Sequence, residues 1–325
     1  MNNIIGSDKI RAAIEKRTAL ITTSSFGEDN PRIFEMMSNR GLTVVMNPYA
    51  RKLTGDELEM LLEKYRPSGL LAGTEPITSL IMSRAASFLK VISRVGVSVD
   101  NIDLEGAESL GIRVFRTAGV LGQAVAELTI GMMLAALRGV AIHDRLMRAG
   151  KWEKRMGSLL QGKTVGIIGF GDIGRSVGVL AKAFGATICY YDPQGGTAPE
   201  WAQMSSMADL LRESDIVSLH ASGNDRILTI NELRCCKKGV IIVNTARGGL
   251  IDERDLCRSL ADGQVGFACL DVFEHEPYLG SLRQMENVLL TPHIGSYARE
   301  ARREMEEAAV RNLCDGLKEV ERYER

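Results

Sequence analysis

Proton traffic needs a group that can give and take a proton near neutrality, and imidazole is the usual one. The chain holds four histidines, so each can be weighed singly. His293 stands in LLTPHIGS, directly after the apolar run Val288–Thr291. A strand there puts His293 on the carboxyl edge of a sheet, where open α/β folds bind ligands. Pro292 stiffens the turn before it, and Gly295 allows close backbone approach after it. Two more segments reach the same edge. Val240–Asn244 runs into NTARGG and places Thr245, Ala246 and Arg247 beyond a strand end. Gly266–Leu270 runs into DVFEHEP, with Asp271 at the strand tip and Glu276 shortly after. A single Arg or Glu in a loop is ordinarily a solvated charge, but Arg247, Glu276 and His293 on one edge form a candidate catalytic set. The other histidines read differently. His143 lies inside a helical stretch and is structural, and His275 sits solvated in an acidic turn. His220 ends the run Ile216–His220, where either a cofactor contact or packing would account for it.

A sheet with something to bind on that edge is announced by Thr164–Gly174, TVGIIGFGDIG. The run Val165–Ile168 meets Gly169, Gly171 and Gly174 in the spacing G-x-G-x-x-G, with Asp172 and Ile173 between the last two. The first glycine allows the tight turn, the second lets backbone approach a pyrophosphate, and the third lets helix pack close to strand. Phosphates favour a helix N-terminus because its N–H groups are unpaired and its dipole is positive there. A second apolar run, Thr187–Tyr191, ends at Asp192. A carboxylate at that tip accepts from ribose hydroxyls and repels a 2′-phosphate, so NAD is expected rather than NADP.

The elements that must carry these residues alternate. Strand-like runs at Ala19–Thr23, Leu42–Met46, Gly69–Ala72, Leu89–Ser93 and Ile112–Phe115 form one βα series. The runs from Val165–Ile168 through Val288–Thr291 form another. Most are continuous rather than alternating, as in parallel strands buried on both faces. Two α/β units follow, each a doubly wound parallel sheet. Gln123–Gly150, which lacks proline, reads as one long helix between them. Residues 1–17 read as an extra helix, and the charged stretch after Gly295 as a terminal helix returning to the first unit.

Composition removes several classes of function. The 325 residues are 45% hydrophobic and 25% charged, ordinary for a soluble globular chain. A net charge of −1 offers no general attraction for nucleic acid or anionic membrane. The apolar run Leu128–Leu137 is too short to span a bilayer, and the N-terminus lacks the form of a signal peptide. Six cysteines without C-x-x-C spacing read as reduced thiols in a cytoplasmic protein, with neither a disulfide frame nor a metal site.

The segments KVISRVGVSVDNIDLEGAESLGI (90–112), AVAELTIGMML (124–134), KTVGIIGFGDIGR (163–175), KKGVIIVNTARGGLID (237–252), LDVFEHEP (270–277) and NVLLTPHIGS (287–296) resemble the D-isomer-specific 2-hydroxyacid dehydrogenases, in the branch that includes D-3-phosphoglycerate dehydrogenase. The resemblance implies hydride exchange between a 2-hydroxy acid and NAD. Arg247 would pair with the substrate carboxylate and polarise the reacting oxygen. His293 would carry the proton, and Glu276 would bond its other ring nitrogen. Asp271 would hold the nicotinamide carboxamide, and backbone amides at Val97 and Ser98 would receive the carboxylate. Gly169, Gly171, Asp172, Ile173, Gly174, Asp192, His220, Thr245, Ala246 and Gly295 would line the NAD site, and no metal is required. It also implies a flavodoxin-like substrate domain, residues 1–118 and 297–325, with a Rossmann NAD-binding domain, 119–296, inserted in it. The domains would close over substrate. A homodimer would form around the Gln123–Gly150 helix, although burial of that helix within its own domain explains its apolar coverage as well.

Three departures from the family pattern stand out, the first of them near the substrate. Ser98 replaces a usual glycine, Arg116–Gly119 replaces a common N-T-P-G, and HASGND (220–225) lacks a common proline. Arg51 and Lys52, after Leu42–Met46, either face a substrate phosphate or sit in a solvated loop. The leading expectation is a phosphoglycerate dehydrogenase-like enzyme. Alternatives are a dehydrogenase for glycerate, glyoxylate or a larger sugar-derived acid, or an NAD-responsive corepressor-type protein on the same scaffold. Relatives that oxidise formate usually carry Gln at the position of Glu276, which argues against that chemistry.

Overall fold

A computed structural model describes residues 17–117, 119–195, 199–223 and 225–323. The helix expected over residues 1–17 lies, but for its last residue, outside that range. The chain divides into two compact units, one of Met1–Val120 with Arg299–Arg325 and the other of Leu121–Ala298.

Strands β1 (Thr18–Ile21), β2 (Thr43–Met46), β3 (Gly69–Ala72), β4 (Val91–Arg94) and β5 (Arg113–Arg116) of the first unit pair in parallel. Their order, β2-β1-β3-β4-β5, is that of flavodoxin. Helices α1 (Arg32–Ser38), α2 (Gly55–Tyr65), α3 (Ser79–Ala85) and α4 (Leu104–Ser109) make the crossovers. Leu20, Leu70 and Ile92 are fully buried in the core beneath them, each contributing about 1.5–3 kcal/mol of burial free energy. The C-terminal α11 (Arg299–Tyr323) lies against β3, β4 and β5. It buries Ala301, Met305, Ala309, Leu313 and Leu317 at helical spacing.

In the second unit, α5 (Gly122–Arg138) and α6 (Val140–Arg148) precede a seven-stranded sheet, again all parallel. Its strands are β6 (Thr164–Ile168), β7 (Thr187–Tyr191), β8 (Ala202–Met204), β9 (Ile216–Leu219), β10 (Val240–Asn244), β11 (Val265–Leu270) and β12 (Val288–Leu290). The order β12-β11-β10-β9-β6-β7-β8 is doubly wound, with its reversal between β6 and β9. Ligands bind outside the carboxyl ends at such a reversal. The two faces have separate cores. Val165, Ile167, Val243 and Cys269 pack with α5 and with α7 (Asp172–Ala183). Ile168, Leu219, Ile242 and Leu270 pack with α8 (Met207–Glu213), α9 (Ile230–Cys235) and α10 (Glu253–Ala261).

The single helix expected over Gln123–Gly150 is two helices bent by 63°. Gly139 ends α5 at φ +60°, and its N–H donates back to the carbonyl of Ala136. Glycine reaches this left-handed conformation without the Cβ penalty that would keep another residue helical. The two halves have different surroundings. α5 buries Val125, Ala126, Thr129, Ile130, Met132, Met133 and Leu137, whereas no residue of α6 is fully buried. His143 lies in α6, where Nε2 accepts from the backbone N–H of Arg155 at 3.0 Å. Among the described residues no single helix is long and apolar enough to cross a membrane.

Candidate active site

The glycine turn joins β6 to α7. Gly169 has φ +89°, and a Cβ there would lie 2.5 Å from the backbone nitrogen of Ala221. A Cβ on Gly174 would lie 2.2 Å from the carbonyl oxygen of Gly169, so only glycine lets the helix start this close to the strand. Gly171 differs, because a Cβ there would meet nothing within 4 Å. It is also the N-cap of α7 and supplies no side chain to the first-turn N–H groups. A bare cap facing open space fits a pyrophosphate. Asp172 and Ile173 follow in that first turn. The carboxylate of Asp192, past the end of β7, accepts from Phe170 N at 2.8 Å and from Gln194 N at 3.0 Å. It therefore braces the glycine turn and keeps further lone pairs for hydroxyl donors.

His220 follows β9 beside that turn. Its Nε2 is 2.8 Å from Ser218 Oγ, and its Nδ1 is buried without a partner among the described residues. Burial pushes the imidazole pKa down to about 3, so the ring is neutral.

Arg247 is set by a tight turn after β10. The buried Asn244 side chain donates to Arg247 O at 2.8 Å and accepts from Ala246 N at 3.1 Å. Arg247 Nη1 donates to Ala246 O at 2.7 Å. Thr245 turns inward. Thr129 Oγ1 donates to Val125 O, so the 2.9 Å contact between the two threonine hydroxyls is donated by Thr245. The Thr245 hydroxyl thus donates to α5. Gly248 brings the next turn against Arg247, since a Cβ there would lie 1.9 Å from the carbonyl carbon of Phe273.

Glu276 and His293 come from the loops after β11 and β12. Glu276 Oε1 accepts from Phe273 N at 3.2 Å, and Oε2 lies 2.8 Å from His293 Nδ1. The pair leaves Nε2 as the ring nitrogen for chemistry. The hydrogen bond to Glu276 raises the His293 pKa, burial and the Arg247 charge oppose it, and the negative charges of Glu276 and Asp271 add to it. Arg247 is therefore within electrostatic reach of the imidazole. His293 itself has φ +55°, an uncommon conformation for a residue with a Cβ.

Asp271 directly follows β11. Its carboxylate has no solvent exposure. It accepts from Thr291 Oγ1 at 2.5 Å, Ile294 N at 2.8 Å and Gly295 N at 2.8 Å. It holds the His293 turn.

The remaining expected residues belong to the first unit. Val97 and Ser98 follow β4 half-buried, and Ser98 Oγ accepts from Asp100 N at 3.2 Å. Arg51 and Lys52 are exposed, and Arg51 is held by Glu57 through bonds of 2.9 and 2.6 Å. Sequence reading passed over Asn244, Thr291 and Gly248. Each precedes or follows a chemical residue by a few positions, which is the one signal that marked them. Among the described residues no group of three or more His, Cys, Asp and Glu side chains is placed to hold a metal ion.

The chain has extensive similarity to known proteins. Residues 130–295 match the family model for the D-isomer specific 2-hydroxyacid dehydrogenase, NAD binding domain. A hydroxypyruvate reductase from Thermotoga maritima is 40% identical over 260 residues, covering 77% of this chain and 84% of that protein. A D-3-phosphoglycerate dehydrogenase from Methanocaldococcus jannaschii is 38% identical over 286 residues, 83% of this chain and 53% of the longer relative. The crystal structure of a glyoxylate reductase from Paecilomyes thermophila superposes with a TM-score of 0.81 at 31% identity, covering 91% of this chain and 94% of that one. A doubly wound sheet with its glycine turn, an acid after the second strand, and Arg, Glu and His on one edge thus coincide with extensive similarity, and the chain belongs to the NAD-dependent D-isomer-specific 2-hydroxyacid dehydrogenases.

Proposed function

We propose that this enzyme reduces a small unphosphorylated 2-oxo acid to its 2-hydroxy acid, glyoxylate to the achiral glycolate or hydroxypyruvate to D-glycerate. The observation that carries the reading is the 2.8 Å Glu276–His293 pair beside Arg247. NADH, when bound, supplies the hydride. Gly169, Gly171, Gly174 and the first turn of α7 would hold its pyrophosphate, and Asp192 its ribose. Arg247 neutralises the substrate carboxylate with its forked donors and draws electron density toward the reacting oxygen. His293, kept protonated by Glu276, delivers its Nε2 proton to that oxygen as charge develops, a contribution of about 10²–10⁴-fold. Similarity to a hydroxypyruvate reductase and to a glyoxylate reductase supports a small substrate. The phosphoglycerate reading leaned on Arg51 and Lys52. The engagement of Arg51 by Glu57 weighs against it, and the Methanocaldococcus relative keeps it as the second reading.

The deciding assay follows NADH consumption with glyoxylate, hydroxypyruvate and 3-phosphohydroxypyruvate, with His293→Ala as control. Preference for the phosphorylated acid would replace this reading with the second. Cofactor binding without turnover on any acid would favour an NAD-responsive binding protein.

The proposal includes a homodimer. Val140, Met147, Trp152, Met156 and Leu159, on α6 and the extended segment after it, are more than half exposed. Such apolar surface supports burial against a second copy. A monomer by light scattering at micromolar concentration would remove this part. All six cysteines are free thiols, which supports a reducing, cytoplasmic compartment.

A further inference from the structure

His293 sits in a left-handed conformation that its Cβ disfavours, so something must hold it there. The backbone shows what does. On one side, His293 N donates to Thr291 O at 3.0 Å. On the other, Ile294 N and Gly295 N donate to the two oxygens of Asp271. Thr291 closes the ring, its hydroxyl donating to Asp271 Oδ1 at 2.5 Å while its own N–H is tied to Leu270 O at 3.0 Å. One threonine thus grips the turn before the imidazole through its carbonyl and the turn after it through the Asp271 carboxylate.

We propose that Thr291 is a positioning residue for the reaction, its hydroxyl locking Asp271 so that His293 Nδ1 stays on Glu276 and Nε2 stays aimed at substrate. The inference rests on His293 being the proton carrier. A buried carboxylate has lone pairs to satisfy, and it can turn away from the two backbone N–H groups if one of its partners is lost. Turning would free the strained residue to relax and would lengthen the Glu276 contact. The charged groups that bear on the imidazole are Glu276 and Asp271 after β11 and Arg247 after β10. Losing the Glu276 contact leaves the opposing Arg247 charge, so the His293 pKa falls.

The experiment compares Thr291→Val, which keeps the shape and removes the hydroxyl, with Thr291→Ser, which restores it. Two readouts are taken: kcat and KM with glyoxylate, and the His293 pKa by NMR on the cofactor-free protein, with the signal assigned through His293→Gln. The valine variant should lose kcat about tenfold, since small misplacements of a reacting group are costly. It should also show a lower His293 pKa with the KM for NADH unchanged, and serine should restore both. If valine leaves kcat and pKa at the wild-type values, the proposal is wrong. It is equally wrong if kcat falls while the pKa stays, because that pattern is general loosening. Should valine fail to fold, Thr291→Ala against Thr291→Ser decides the same point, with wild-type behaviour of alanine overturning it. The NMR readout stands even if no 2-oxo acid is turned over, which keeps failure of this inference separate from failure of the functional reading.

Discussion

Glu276 Oε2 and His293 Nδ1 are 2.8 Å apart, on loops after adjacent strands of one sheet. The carboxylate fixes which ring nitrogen is left for chemistry and raises the imidazole pKa. A raised pKa keeps the proton-bearing form to higher pH. Reduction needs that form, so its rate should be full on the acid side and fall as pH rises through the raised pKa, while oxidation should do the reverse. Glu276→Gln keeps a hydrogen-bonding group and removes the charge. Its alkaline limb for reduction should shift to lower pH, with kcat lower by about tenfold. A pH–rate profile with an unmoved limb would contradict this account.

The neutral His220 makes an opposite prediction. Its folded pKa of about 3 lies below the ordinary 6.5, so the unfolded chain binds more protons between those values. The stability it contributes is complete above pH 6.5 and is lost as pH falls toward 3. Thermal midpoints of wild type and His220→Gln should therefore converge on acidification through that window. Parallel curves would show that the ring is not held neutral.

Asp192 should set cofactor choice. Replacing it with serine removes one or two charge-assisted hydrogen bonds, about 1.5–3 kcal/mol each for groups of this kind. The KM for NADH should rise about tenfold or more, and oxidation of NADPH should become measurable. Because Asp192 also accepts the N–H of Phe170, the melting temperature should fall as well. Unchanged NADH kinetics would place the ribose elsewhere.

Gly248→Ala should be severe although the residue has no side chain to lose. The added carbon would lie 1.9 Å from the carbonyl carbon and 2.0 Å from the oxygen of Phe273, and backbone cannot swing away as a side chain can. The Phe273–Glu276 loop must shift, moving Glu276 relative to Arg247. We expect about 1–3 kcal/mol of destabilisation and a loss of activity of about 10²-fold. Wild-type kinetics would mean that the two turns are mechanically independent.

Much of this architecture is legible in the chain before folding. Continuous runs such as Val165–Ile168 and Ile216–His220 announce parallel strands because both faces of such strands must be apolar. Once a run is a strand, its carboxyl end is known, and so Arg247, Glu276 and His293 share an edge. The edge strand Ala202–Met204 is not legible, being three residues long with two of them exposed. Nor is the bend at Gly139. Apolar spacing continues across it, and one glycine inside a helical pattern does not by itself end a helix.

Local chemistry was therefore written in the sequence: which residues could carry a proton, bind an anion or turn a strand into a helix. The tertiary structure decided how those groups are used. Asp271, expected beside the cofactor, also clamps the His293 turn, because the donors that claim it lie on a turn twenty residues and more away. Arg51, which the sequence leaves between a phosphate contact and a solvated loop, is exposed and paired with Glu57, because a capping residue of α2 also faces it. Hydrogen bonds between distant segments form only when packing brings donor and acceptor within about 3 Å, and no spacing along the chain encodes that distance.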